Sequence, residues 1–161
     1  MAFKEYNPKE IEFKGKKRFL SNMYPAPLKM DLSFKDDFPE FKFDGLEYGS
    51  SEHLYQALKS NDKNWHKLIR ETEKPTKTKS LAHKLLGKDF EIREDWNKVK
   101  DSAMKLCLRL KFTYNLELYM ELLDIEGKIE ERNDWNDTYW GTCHGVGENK
   151  LGIMLMELRD K

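Results

Sequence analysis

The feature that most constrains this chain is a stripe of apolar residues in its second half. Trp96, Val99, Ala103, Leu106, Cys107 and Leu110 recur at spacings of three and four, which marks one face of an α-helix about five turns long. A helix with such a face must bury it, so the chain is committed to a core assembled around helices. Further helical segments follow the same logic. Trp65, Leu68 and Ile69 form one stripe, Thr76 to Leu86 forms another closed by Gly87, and Asn115 is placed to cap a helix carrying Leu116, Tyr119, Met120 and Leu123. A last apolar helix runs from Ile153 to Leu158.

Between the first residues and these helices the pattern changes to alternation. Leu28 to Phe34 and Phe41-Lys42-Phe43 alternate apolar and polar, and Asp44-Gly45 is a turn signal before Leu46-Glu47-Tyr48. Pro25 and Pro27 stop the preceding run Arg18 to Tyr24 from continuing as a helix, which leaves Asn22 in a loop. Ile129 fits a short edge strand. The expectation is an α+β fold, mainly α-helical, with a small antiparallel β-sheet in a compact single domain spanning residues 1–161.

Length and composition bound the function. A chain of 161 residues holds one sizeable core. Charged residues make up 36%, but 29 basic and 29 acidic side chains cancel, so no global field draws in nucleic acid or an anionic membrane. Cys107 lies inside an apolar helical repeat far from Cys143, which disfavours a disulfide and favours a reducing compartment. No apolar run reaches the length of a membrane span, and Met1 to Pro8 lacks the apolar core of a signal peptide. The expected location is cytoplasmic, with no membrane association and no obligate protein partner evident.

Chemistry concentrates in Tyr48 to Lys59. Gly49, Ser50 and Ser51 supply a turn and an N-cap, and Glu52 suits the positive end of the helix dipole. At about 100° per residue, Glu52, Gln56 and Lys59 share one narrow arc while Leu54, Ala57 and Leu58 lie roughly opposite. An acid, an amide and an amine thus stand on one face, with Glu52 and Lys59 about 10 Å apart along the axis. Such a face is either solvated or built to grip a small molecule.

A second concentration is Asp134-Trp135-Asn136-Asp137-Thr138-Tyr139-Trp140-Gly141, which mixes aromatic, acidic and amide side chains. That mixture serves either nucleobase binding, by stacking and hydrogen bonding, or a structural lid. Trp96 and Met104 are open to core packing or to the floor of a base pocket. Gly145 to Gly152 precedes the last helix and would let backbone amides approach a phosphate, but its spacing matches neither the dinucleotide fingerprint nor the Walker loop. Cys143-His144, Cys107 and His53 make no zinc-ligand pattern, and neither cysteine carries a nucleophile motif. What remains is carboxylate and lysine chemistry, through Glu52, Asp137 and Lys59.

At this point the sequence resembles a known family, NADAR, named for NAD and ADP-ribose association and also called YbiA-like. The resemblance rests on Phe19-Leu20-Ser21-Asn22-Met23-Tyr24-Pro25, Ser51 to Lys59, Asp95-Trp96 followed by Met104, and Lys111-Phe112. It continues through Asp137 to Gly141, Asn149-Lys150-Leu151-Gly152, and Leu155-Met156 with Arg159. It implies N-glycosidase activity without metal or other cofactor. The implied substrates are ADP-ribosylated guanine, as a nucleotide or in nucleic acid, or ribosylaminopyrimidine phosphates of riboflavin synthesis. Both join ribose C1 to an exocyclic amine, and a lysine can exchange into the imine formed when the sugar ring opens. The resemblance assigns Lys59 as nucleophile, with Lys111 as its rival, Glu52 as proton shuttle, and Asp137 as an aid at sugar hydroxyls or water. It assigns Phe19, Asn22, His53, Gln56, Trp96, Lys111, Trp140, Gly141 and Asn149 to substrate binding. The alternative of another class is a silent module that binds ADP-ribose or NAD.

Overall fold

The computed structural model describes residues 10–11, 13 and 15–161; the polar lead-in Met1 to Pro8 lies outside them. In chain order come β1 (Glu10–Ile11), a 3-10 helix (Gly15–Leu20), β2 (Leu28–Lys29), a 3-10 turn (Leu32–Phe34) and β3 (Glu47–Tyr48). Then follow α1 (Ser51–Leu58), α2 (Lys63–Glu71), α3 (Pro75–Leu85), α4 (Trp96–Tyr114) and α5 (Leu116–Leu123). The chain closes with β4 (Lys128–Ile129), β5 (Arg132–Asn133), β6 (Thr142–Cys143) and α6 (Lys150–Arg159). Among the described residues no helix is long and apolar enough to cross a membrane. The expected fold class, mainly helical α+β, is the one observed.

The chain divides into two compact units, one formed by residues 22–116 and the other by the described residues up to Ser21 together with Glu117–Lys161. In the first unit, α4 buries Val99, Ala103, Leu106, Cys107 and Leu110, as the stripe requires. Trp96 alone of that stripe stays half-buried, because it opens the helix. α1 packs against α2, α3 and α4, and α4 also packs against β2. Wrapped in this way, α1 is buried at every position, Ser51 to Leu58. Its start is fixed by Ser50, whose hydroxyl accepts from the His53 amide at 3.1 Å, and by Asn22, whose carbonyl accepts from the Glu52 amide at 3.2 Å.

In the second unit, α6 packs on β4 and β1 pairs with β4. Gly152 makes the first contact possible, since a Cβ there would strike the Ile129 carbonyl and the Asn149 side chain.

The small antiparallel sheet expected from Leu28 and Leu46 to Tyr48 is present, and three other expectations are corrected. That sheet is β2 with β3, Leu28 opposite Tyr48, and two further pairs among the described residues, β1–β4 and β5–β6, are parallel. The alternation from Leu28 breaks at Asp31, whose carboxylate accepts from the Ser33 amide at 2.9 Å and turns Leu32–Phe34 into a 3-10 turn; Phe41 to Phe43 forms no strand. Asn115 closes α4 instead of opening α5, because its amide donates to the Lys111 carbonyl at 2.8 Å and the Pro27 carbonyl at 2.9 Å. The expected core face of α5 is open, with Leu116, Met120 and Leu123 exposed, and its two turns bury Leu122 instead.

Candidate active site

The polar face of α1 is not solvated. Glu52 is 7% exposed and Gln56 2%, and the Gln56 amide nitrogen donates to Glu52 Oε1 at 2.7 Å. Burial pushes the Glu52 carboxyl above its ordinary 4.5, against the opposing pull of the Gln56 hydrogen bond and of the Lys59, Lys79 and His53 charges. Lys59 is half-buried at the end of the same helix. Burial lowers its ammonium below 10.5 and Lys79 adds to the effect, while Glu52 opposes it. The two groups therefore favour each other's charge in surroundings that disfavour both charges, which is the setting for proton exchange between an acid and an amine.

Around this pair, Lys59 Nζ stands 5.3 Å from the centroid of the Tyr55 ring, and Tyr55 meets Trp96 edge-on at 5.2 Å and 60°. Tyr55, to which the sequence alone assigns no role, thus joins Lys59 to Trp96. Its signal was its place between two site residues one helical turn apart.

Other residues expected at the site are engaged by the fold. His53 Nε2 lies 2.7 Å from the Thr72 carbonyl, which only accepts, so Nε2 carries the proton and Nδ1 accepts from the Ser50 hydroxyl at 2.7 Å. Both ring nitrogens are spent, so His53 is a brace for α1 and has no polar atom left over for a substrate. Asn22 accepts from Ser51 Oγ at 2.7 Å and donates to Met104 Sδ at 3.1 Å, so it locks the start of α1 onto α4. Met104 is itself buried.

Lys111 is fully buried on α4, and burial alone pushes its ammonium down to about 7. Glu52 is drawn toward its charged form by Lys59, Lys79 and His53, and Lys59 in turn by Glu52. Cys107 does feel Glu52, but burial raises its thiol well above 9.0 and keeps it protonated.

Beyond Lys59, an open groove of about 630 Å³ is lined by Ser60 to Asp62 and Glu91 to Asp95. The Arg93 amide donates to the Lys59 carbonyl at 2.9 Å, and the Arg93 guanidinium is paired with Asp95 at 2.6 Å. Four carboxylates against one paired arginine make this groove a poor cradle for phosphate.

The remaining candidates lie in the other unit. Asp137 Oδ1 accepts from the Tyr139 amide at 3.1 Å and the Trp140 amide at 2.9 Å. Asn133 accepts from the Trp135 and Asp137 amides at 3.3 and 3.0 Å and donates to the Asp137 carbonyl at 2.8 Å. These bonds set the loop and present Trp140 half-buried, edge-on to Tyr139 at 4.8 Å. Gly141 is required by packing, because a Cβ would strike the Glu131 carbonyl. Asn149, in the left-handed region with φ 52°, accepts from the Glu131 amide and donates to the Ile129 carbonyl, both at 2.9 Å. Its polar atoms are thereby committed to backbone. Gly147 lies against the Gly141 carbonyl, so the glycines between Gly145 and Gly152 are explained in part by close backbone packing. Phe19 is buried in the 3-10 helix. Among the described residues no three His, Cys, Asp or Glu side chains converge on a metal site.

Comparison with known proteins gives the arrangement a context. The NADAR domain model matches residues 8–161. The chain is 36% identical over 141 residues to the N-glycosidase YbiA of Escherichia coli, covering 80% of this chain and 84% of that one. It is 29% identical over 147 residues to a riboflavin biosynthesis protein of Vibrio vulnificus, covering 89% of this chain but 35% of that longer one. The NMR structure of E. coli YbiA superposes with a TM-score of 0.74 at 31% identity, covering 94% of this chain and 83% of that one. With the family model spanning almost its whole length, the chain belongs to the NADAR family.

Proposed function

We propose that this chain hydrolyses the bond between ribose C1 and an exocyclic amine, and that its substrate is guanine carrying ADP-ribose on that amine. It is an N-glycosidase, a hydrolase acting on N-glycosyl bonds, as its relatives are named. The observation that supports the finer reading is the buried acid, amide and amine on α1, where a carboxyl held above its ordinary value is coupled to a lysine held below its own. The family match runs across both compact units, which supports treating residues 8–161 as one functional domain.

The chemistry follows from those two groups. Glu52, protonated, gives its proton to the ring oxygen as the C1–O bond breaks and the amine lone pair forms a C1=N bond. Neutral Lys59 adds to C1. The base amine then leaves with a proton returned through Glu52, and C1 stays joined to Lys59 as a Schiff base. Water adds to that carbon and breaks the C1–N bond to restore the lysine. The sum is one water consumed, one free base amine and one free sugar. Trp96 is proposed to stack on the base or adenine, and Tyr55 to hold the aliphatic stem of Lys59 in place.

A second substrate class, the ribosylaminopyrimidine phosphates of riboflavin synthesis, is favoured by the similarity to a protein named for riboflavin biosynthesis. The deciding experiment is base release from guanosine ADP-ribosylated on its exocyclic amine, read by chromatography and mass spectrometry with Glu52→Ala as control. Release by the unaltered chain alone supports the first substrate. Absence of release there, with release from the pyrimidine phosphates, transfers the same mechanism to the second.

A further inference from the structure

One atom in the site is left over. The Gln56 amide is buried at 2% exposure, its nitrogen is held by Glu52 Oε1 at 2.7 Å, and its oxygen accepts from no described residue. The amide turns its nitrogen to Glu52 Oε1, which accepts that bond whether the carboxyl is ionised or carries its proton on the other oxygen. Gln56 Oε1 therefore points away from Glu52 as an acceptor in want of a donor. Buried carbonyls are rarely left so, since desolvation without a partner is costly.

The local donors are otherwise engaged. Trp65 Nε1 donates to the backbone carbonyl of Gln56 at 2.9 Å, Ser51 Oγ to Asn22, and His53 Nε2 to Thr72. Lys59, three residues on, lies against the Tyr55 ring at 5.3 Å.

We propose that Gln56 is a specificity-determining residue whose Oε1 accepts the N–H of the glycosylamine nitrogen, and so selects secondary-amine glycosides over glycosides whose nitrogen bears no hydrogen. The inference rests on the reading of this site as a glycosylamine hydrolase and deepens it. A single side chain then holds both partners of the proton transfer: its nitrogen fixes Glu52 and its oxygen fixes the nitrogen that Glu52 must protonate. Ordinary nucleosides, joined through a ring nitrogen with no hydrogen, present nothing to that oxygen and leave it unpaired, which is the arrangement that gives large discrimination.

The test compares guanosine bearing ADP-ribose on its exocyclic amine with the analogue in which a methyl replaces the hydrogen of that amine. Each kcat/KM is divided by the uncatalysed hydrolysis rate of the same compound, which removes intrinsic reactivity. The unaltered chain should prefer the N–H compound by about 100-fold or more. Gln56→Met, similar in size but without donor or acceptor, should slow both compounds through the lost bond to Glu52 and lose roughly a further 10- to 100-fold on the N–H compound alone, which collapses the preference. Gln56→Glu keeps an acceptor oxygen, sharing a proton with Glu52, and should keep the preference; circular dichroism of both variants checks the fold.

Equal losses on both compounds would reduce Gln56 to a support for Glu52, with water satisfying its oxygen, and would overturn the inference. So would an unaltered chain indifferent to the methyl group. If the unaltered chain releases base from neither compound nor from ribosylaminopyrimidine phosphates, the functional reading itself fails and takes this inference with it.

Discussion

Helix α1 and the loop from Asn133 to Asn149 are equally rich in polar side chains, yet they use them in opposite ways. In the loop, Asn133, Asp137 and Asn149 turn inward and close backbone amides and carbonyls, so their hydrogen-bonding capacity is consumed in holding the chain's path. On α1 the backbone is already satisfied by the helix, and the side chains of Glu52 and Gln56 are buried against each other with capacity remaining. Polar residues in irregular backbone are spent on shape, whereas polar residues on a buried regular helix are surplus to shape and available for chemistry.

The largest effect expected from breaking this contrast is at Glu52. Glu52→Gln keeps the shape and the hydrogen bond to Gln56 but removes the proton, and should lower base release by about 10²- to 10⁴-fold. The same change should stabilise the fold at neutral pH. A carboxyl whose folded value is raised binds more protons in the folded state, so stability falls as pH climbs from its ordinary 4.5 through the raised value. Above that window the charged, buried Glu52 is a burden, and removing it should raise the melting temperature; a lower one there would contradict the burial argument.

Lys59 comes next. Borohydride added during turnover should trap a sugar adduct on the unaltered chain and none on Lys59→Ala, read by intact mass. An equal adduct on Lys59→Ala would hand the role to Lys111.

On the loop side the effect should be on stability. Asn149→Ala removes two buried bonds and strains a residue at φ 52°, and should cost about 2–4 kcal/mol in a denaturant melt. A loss of activity with unchanged stability would instead make Asn149 a ligand. Ser50→Ala should cost about 1 kcal/mol through the lost N-cap, with a modest fall in activity as α1 frays.

The smallest effect sharpens the electrostatics of the helix. The rate should be bell-shaped in pH, with limbs belonging to the coupled Glu52–Lys59 pair. Lys79 on α3 lowers both members, so Lys79→Met should move both limbs to higher pH. Limbs that stay in place would place Lys79 outside the site's field.

Legibility in the sequence followed periodicity. The spacing of Trp96 to Leu110 predicts α4 nearly residue by residue, because a buried stripe on a long helix leaves few alternatives. The spacing of Glu52, Gln56 and Lys59 predicts a shared face, and the resemblance selects it. The short strands were less readable, since a two-residue pairing such as β5 with β6 is decided by partners distant in sequence. His53, Asn22 and Asn149 were equally opaque, because a polar residue in a motif looks the same whether its atoms reach a ligand or a carbonyl of its own chain.

The sequence by itself determined the helices, the start of α1 at Ser50 and the set of chemical groups carried on its polar arc, all of which depend on neighbours within a few residues. Only the tertiary structure decided that this arc is buried. That burial comes from α2, α3 and α4 closing around α1, and it is what raises the Glu52 carboxyl, lowers the Lys59 ammonium and strands the Gln56 oxygen, since desolvation depends on what surrounds a group in space.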